Sequence, residues 1–364
     1  MKNKLPQTGI DTLLKDESLL QSLSQKRVAL LTNQSSLTKD FVPSAYALAE
    51  RLGPALTCIL TPEHGWGASI AEGEKVKDDF NHTIGKPIYS LYGGDKTQLE
   101  HVLSQIDCLI IDLQDVGLRC YTYSATCAKL LEKLSYHEII VCDRPNPLGH
   151  KQQGPKLDPT YRSILAYLDV SFQHGQTLGE LLTKYNQGFD RPLTLDVISG
   201  ETTYQPDKHS WIPPSPNLPS WESVLLYPAL VLLEGCNVSE GRGTGLPFTC
   251  IGAPQMNSNA LVDFLNEIPG IRARPLSFTP QSGKLAGQEC HGAHIILTDP
   301  LRLDAYSLGI KLIHFLKQNY PQFTWTEMER HKDKYFIDFL LGTSKIREDI
   351  DKGIAPSEVL ERFG

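Results

Sequence analysis

The sequence predicts an α/β protein built on a parallel sheet, with a second, smaller α+β domain, and three observations carry that reading. Short apolar runs alternate with helix-patterned stretches through the first half of the chain, which is how successive βαβ units read. The 364 residues exceed the roughly 250–300 at which single cores usually split, so two domains are expected. Polar residues collect at the C-terminal ends of the successive apolar runs, the edge at which open parallel sheets gather ligands.

The expected strands are RVALLTN (27–33), LTCILTP (56–62), PIYSLYG (87–93), CLIIDLQD (108–115) and EIIVCDRP (138–145). Between them FVPSAYALAERL places Val42, Ala45, Ala49 and Leu52 on one helical face, and TQLEHVLSQI and SATCAKLLEKLS carry similar stripes. Thr177 followed by Glu180 is a capping box, which starts a helix over LLTKY. The Pro-rich WIPPSPNLPSW (211–221) suits neither helix nor central strand. The domain boundary is placed just after it, giving domains 1–222 and 223–364. Beyond it, helices are expected at SNALVDFLNEI, YSLGIKLIHFLKQNY and PSEVLERF, and a strand at HGAHIILTD.

Composition narrows the function. A net charge of −7 with no Lys/Arg run argues against nucleic acid as a partner. No stretch approaches the about 20 apolar residues of a membrane span, so membrane insertion is not expected. The polar N-terminus lacks the apolar segment of a signal peptide; a cytoplasmic location is the expectation, with an exported form open if a signal was removed. Cys58, Cys108 and Cys142 lie within strand-like runs and read as small core hydrophobes. No CxxC, HExxH or clustered His/Cys spacing is present, so no metal and no cofactor are expected.

The polar strand ends are Thr32-Asn33-Gln34, Glu63-His64, Ser90 with Tyr92, Asp112 with Gln114 and Asp115, and Asp143-Arg144 with Asn146. Glu63 follows Pro62, which must end its strand, and Gly65 and Gly67 let backbone approach a ligand closely. A carboxylate so placed, with no helical or capping duty, suits glycoside chemistry, which uses one carboxyl to protonate the leaving oxygen and a second as base or nucleophile unless the substrate's N-acetyl group assists. Candidates for the second are Asp115, Asp112, Glu234 and Glu240. Trp66, Tyr92, Tyr121 and Tyr123 could offer faces to a sugar. Arg119 and Arg242 could grip an anionic substituent or hold neighbouring acidic residues. Other motifs fail: Gly241-Arg242-Gly243-Thr244-Gly245 is followed by Pro247 and Phe248 where a phosphate loop needs a helix start. Ser36-Leu37-Thr38-Lys39 matches an SxxK motif, and Ser215-Pro216-Asn217 only faintly matches its companion, with no KTG.

The segments LLTNQSSLT, TPEHGW, PIYSLYG, IDLQDVGLRCYTY, DRPNPLG, HGQTLGELL, PPSPNLP, LLEGCNVSEGRGTGLPF and GAP, in that order, resemble the exo-β-N-acetylmuramidases of the NamZ type, glycoside hydrolase family 171. The resemblance implies a Rossmann-like N-terminal domain without a nucleotide, a smaller C-terminal domain and a catalytic cleft between them. It also implies release of N-acetylmuramic acid from the non-reducing end of β-1,4-linked peptidoglycan fragments. On that reading Glu63 is the general acid, with Asp115, Glu234 and Glu240 as possible partners. Asn33, His64, Trp66, Tyr92, Gln114, Arg119, Tyr121, Tyr123, Arg144, Asn146, Asn217 and Arg242 are candidates for contact with a small carbohydrate. After PEHG the family commonly continues with an aromatic, Arg and Gly, whereas this chain has Trp66-Gly67-Ala68. A muropeptide-binding protein that has lost catalysis is the alternative.

Overall fold

A computed structural model describes residues 5–71, 73–200, 211–328 and 334–364. The chain forms two compact units, one of Met1–Gly117, Tyr121–His150 and Gln176–Pro216, the other of Leu118–Cys120, Lys151–Gly175 and Asn217–Gly364. The α/β class with a smaller α+β part is as the sequence predicts.

The first unit carries strands β1 (Val28–Leu31), β2 (Leu56–Thr61), β3 (Asp79–Asn81), β4 (Lys86–Ser90), β5 (Cys108–Ile111), β6 (Glu138–Cys142) and β7 (Thr194–Ile198) in the order β3-β4-β2-β1-β5-β6-β7. All neighbours pair in parallel except β3 with β4. All five expected strands are present. The central β1 and β5 are buried along their whole length, as sheets covered on both faces require. The chain runs outward from β1 through β2 to β4, then crosses to β5 on the other side of β1. The carboxyl ends of β1 and β5 therefore flank the point where strand order reverses, the place such sheets reserve for ligands.

The helices follow their stop and start signals. Asp95 accepts hydrogen bonds from the N–H groups of Thr97 and Gln98 to cap Lys96–Ser104. The Thr177/Glu180 capping box starts Leu178–Gln187 as expected. In Ser44–Leu52 the buried stripe is Ser44, Ala45, Leu48 and Leu52. The expected face holds at Ala45, Leu52 and Ala49, the last packed partly buried against the core; Val42 is the correction, since it precedes the Pro43 N-cap and is 41% exposed. All eight cysteines are buried and free. Burial pushes the Cys58 thiol up to about 11 and the Cys108 thiol up to about 12, so neither offers a thiolate.

The second unit holds an antiparallel sheet of β8 (Cys250–Ala253), β9 (Ile271–Phe278) and β10 (Cys290–Leu297) in the order β8-β10-β9. Helices Trp221–Leu230, Ser258–Asn266, Ala305–Asn319, Phe336–Leu341, Lys345–Asp351 and Pro356–Phe363 complete it. Gly309 lets Ala305–Asn319 lie close against Trp221–Leu230, since a Cβ there would stand 2.9 Å from the Ala229 Cα. No helix among the described residues is long and apolar enough to cross a membrane.

At the amino edge of the first sheet, Arg27 and Asp107 lock the entries to β1 and β5. Arg27 donates from its backbone N–H at 2.8 Å, its Nε at 3.0 Å and its Nη2 at 2.7 Å to the Asp107 carboxylate. These bonds hold Asp107 down at about 2. A depressed carboxyl contributes stability that is present above its unfolded value of about 3.9 and lost as pH falls through the folded one. Carboxyl-carbon NMR should place the Asp107 midpoint near 2, and Arg27→Met should return it toward the ordinary value.

Candidate active site

Pro62 closes β2, and the next residues wind into a tight turn. Gly65 N–H donates to the Pro62 carbonyl at 3.2 Å, and Ser69 and Ile70 donate to the His64 carbonyl at 3.1 and 3.2 Å. His64 takes a left-handed φ of 71°, a conformation uncommon outside glycine and concentrated at functional positions. Its Nδ1 lies 2.7 Å from the Ile70 carbonyl, which only accepts, so the ring carries its proton on Nδ1 when neutral. At Gly65 (φ 74°) a Cβ would approach Val76 Cγ1 to 3.1 Å and Ile70 Cδ1 to 3.2 Å; the turn has no room for a side chain.

The turn delivers Glu63, only 6% exposed, to the carboxyl edge of the sheet. Its Oε1 accepts from the Gly73 N–H at 2.9 Å and its Oε2 from the Thr122 hydroxyl at 2.6 Å. Thr122 is the first residue of helix Thr122–Leu131. Tyr92 also hydrogen-bonds Glu63, and burial, then the Glu63 charge, pushes its phenol up. Beneath the turn, Tyr123 donates to the Pro214 carbonyl at 2.6 Å and accepts from Asn33 Nδ2 at 3.0 Å. Burial raises the Tyr123 phenol well above its ordinary value. Tyr121 packs on Tyr123 with ring centres 4.6 Å apart. Glu63, Asn33, His64, Tyr92, Tyr121 and Tyr123 thus meet at one place.

Several other candidates lie in the same unit but are engaged in holding loops. Arg144 pairs with Asp112 through Nε at 2.6 Å and Nη2 at 3.0 Å and also donates to the Leu37 carbonyl at 3.0 Å. Gln114 donates to the carbonyls of Asp115 and Pro145 at 2.8 and 2.9 Å. Asp115 accepts from the Gly117 N–H at 2.7 Å. Asn146 spans Leu148 N–H and the Gln176 carbonyl, each at 2.9 Å. Trp66 is half-buried and stacks on Tyr46 at 6.3 Å against the core. Ser36 is fully buried and donates to the Asp112 carbonyl at 2.8 Å, so the SxxK match presents no exposed nucleophile.

Arg119 also departs from the expected grip on substrate. It is 2% exposed, and its terminal nitrogens donate to the carbonyls of Pro155 at 3.0 Å, Val170 at 2.6 Å and Leu341 at 2.6 Å. Desolvation lowers the guanidinium to about 10. It ties three segments of the second unit together. In that unit Arg242 pairs with Glu234 at 2.7 Å and stands 3.5 Å from Glu240, which Lys284 meets at 3.1 Å. Burial pushes the Glu234 carboxyl up, with Arg242 opposing. For Glu240 burial acts in the same sense, yet Lys284 and Arg242 outweigh it and hold the carboxyl below its usual range. Arg242 also lies over the Phe248 ring at 4.8 Å. Of the two alternatives for Arg242, the observed one is that it holds acidic residues. Asn217 sits half-buried in a turn of the Pro-rich segment. Sequence reasoning missed Gly73, Thr122 and Lys284.

A buried carboxylate framed by hydroxyl and amide donors, at the carboxyl edge of a Rossmann-like sheet, is the equipment of an acid–base hydrolase. The family follows from comparison: residues 28–222 match the N-terminal model and residues 225–363 the C-terminal model of the exo-β-N-acetylmuramidase NamZ, and the chain belongs to that family. It is 36% identical over 367 residues to the peptidoglycan β-N-acetylmuramidase NamZ of Bacillus subtilis (strain 168), covering 98% of this chain and 87% of that protein. Two crystal structures of DUF1343 family proteins from Bacteroides fragilis NCTC 9343 share the fold. One has a TM-score of 0.82 at 26% identity, covering 100% of this chain and 95% of the other. The second has a TM-score of 0.72 at 28% identity, covering 98% and 93%.

The hydrogen bonds of Arg119 lead to a clear expectation. Arg119→Met removes the guanidinium donor from three buried carbonyls and should cost about 3–5 kcal/mol in urea unfolding. The fraction that folds should keep the parent KM, because the guanidinium faces backbone and not solvent.

Proposed function

We propose that Glu63 is the proton donor with which this exo-acting β-N-acetylmuramidase releases N-acetylmuramic acid from the non-reducing end of β-1,4-linked peptidoglycan fragments. The observation that carries this assignment is the placement of the Glu63 carboxyl: buried, held on both oxygens and presented by a strained turn at the ligand edge of the sheet. A glycosidic oxygen leaves as a poor anion unless it is protonated as the bond to C1 breaks. A positioned carboxylic acid supplies that proton, and the bond's electron pair stays with the departing oxygen. The hydroxyl that replaces it on C1 comes from water, whose remaining proton balances the one Glu63 has given.

Tyr92, half-buried and hydrogen-bonded to Glu63, offers a polar-edged aromatic face beside this carboxyl. The partner that stabilises the positive charge developing at C1 is either the substrate's own acetamido group or a second carboxyl. Asp115 is the candidate carried by the first unit, and Glu234 and Glu240 are those of the second. In none of these roles is a metal or cofactor required.

The test is turnover of a chromogenic N-acetylmuraminide and of its glucosaminide analogue, which lacks the lactyl ether. Wild-type protein should cleave the first and strongly disfavour the second. Glu63→Gln keeps the hydrogen-bonding shape but has no proton to give, so its kcat should drop roughly 100- to 10,000-fold with an unchanged circular dichroism spectrum. Undiminished turnover by that variant overturns the role of Glu63. Sugar binding without turnover by the wild type would instead identify a non-catalytic binding protein.

A further inference from the structure

We infer that Thr122 is the positioning residue that fixes which oxygen of Glu63 carries the catalytic proton. The inference rests on the proposed role of Glu63 and extends it to a residue that the sequence reading did not single out. The two oxygens of Glu63 have partners of different kinds. Oε1 faces the Gly73 backbone N–H at 2.9 Å, which donates and never accepts. A proton on Oε1 would collide with that donor, so the acid form of Glu63 carries its proton on Oε2. Oε2 faces the Thr122 hydroxyl at 2.6 Å, which both donates and accepts.

The hydroxyl therefore serves both states of the reaction. Before bond cleavage Oε2–H is the acid, and Thr122 Oγ1 accepts from it or yields it to the glycosidic oxygen. When the proton has passed to the leaving oxygen and the C1–O bond has broken, Oε2 is anionic and the Thr122 hydroxyl rotates to donate to it. No heavy atom has to move. Thr122 opens a ten-residue helix, whose first turn presents the positive end of its dipole and favours the same anionic product. The half-buried position of Thr122 keeps the hydroxyl in the site. The other groups facing Glu63 are the Tyr92 phenol, which hydrogen-bonds it, and the Tyr123 phenol, 3.4 Å from its backbone carbonyl; the adjacent His64 ring is bound to the Ile70 carbonyl. Neither phenol ionises near neutral pH, burial having raised both.

The experiment measures kcat, KM and the pH dependence of kcat/KM on the chromogenic muraminide for Thr122→Val, Thr122→Ala and Thr122→Ser, with unfolding curves alongside. Loss of the hydroxyl removes a donor to the charged carboxylate. Both Val and Ala variants should lose about tenfold or more in kcat with little change in KM. The alkaline limb of their pH profile should move to higher pH, because a donor to the anionic product is gone. The Ser variant, which keeps the hydroxyl, should restore rate and profile. A pH profile that superimposes on that of the wild type in the Val or Ala variant overturns the inference, whatever the change in stability. If that occurs while Glu63→Gln is inactive, only Thr122 is misassigned; if Glu63→Gln is active as well, the proposed function falls with it.

Discussion

The buried ion pair between Arg144 and Asp112 is the constraint on which the carboxyl edge of the sheet depends. Asp112 is fully buried at the end of β5 and Arg144 is 8% exposed after β6. Isolated charges in such surroundings are untenable, and removing one partner of a buried pair typically costs about 3–5 kcal/mol. The pair is satisfied on several sides at once. Arg144 also bonds the Leu37 carbonyl, and Ser36 bonds the Asp112 carbonyl, so the segment after β1 is pinned to the loops after β5 and β6. These are the loops flanking the reversal of strand order, and fixing them gives Asn33 and Tyr123 a rigid floor on which the Glu63 turn rests.

That floor explains why strain is tolerated at His64. A left-handed non-glycine residue costs of order 1 kcal/mol or more and persists only where its surroundings overdetermine it. Here the His64 ring is held to Ile70, its carbonyl accepts from two N–H groups, and Gln34 N–H donates to the Trp66 carbonyl at 2.8 Å. The strained turn directs Glu63 toward Thr122 and Gly73 instead of toward solvent. Trp66 contributes to this arrangement by packing on Tyr46.

Much of the fold was legible in the sequence because the central strands are buried on both faces and read as unbroken apolar runs. β3 and β7 escaped because they are edge strands: β3 has three residues, and most of β7 is at least partly exposed, which breaks the pattern. β9 escaped because Pro275 interrupts its alternation midway and a proline in a run argues against a strand. Of the site, Glu63 was legible because Pro62 and the glycines leave its carboxyl no structural duty. Gly73 was not, because a backbone N–H donor has no side-chain signature. Thr122 was not, because a threonine at a helix start reads as local structure. Arg119 shows the opposite failure: its chemistry suggested an anion, and only tertiary packing reveals that it binds backbone carbonyls.

The charges of the second unit obey the same rule as the pair on the first. Glu234, Glu240, Arg242 and Lys284 form a compact set of two negative and two positive groups, which removes most of the penalty of burying any one of them. Lys284 further donates to the carbonyls of Leu233 and Cys236 at 2.7 and 2.9 Å, so the set is anchored to backbone. A carboxylate held ionised by two cations is poorly suited to give a proton and well suited to stabilise positive charge or to accept a proton. Glu240, held below its usual range, has that character more fully than Glu234, which burial pushes the other way. The two carboxyls of the set thus differ because their surroundings differ. Of the two, only Glu240 is held toward the charged form by its cations, while burial pushes Glu234 the other way.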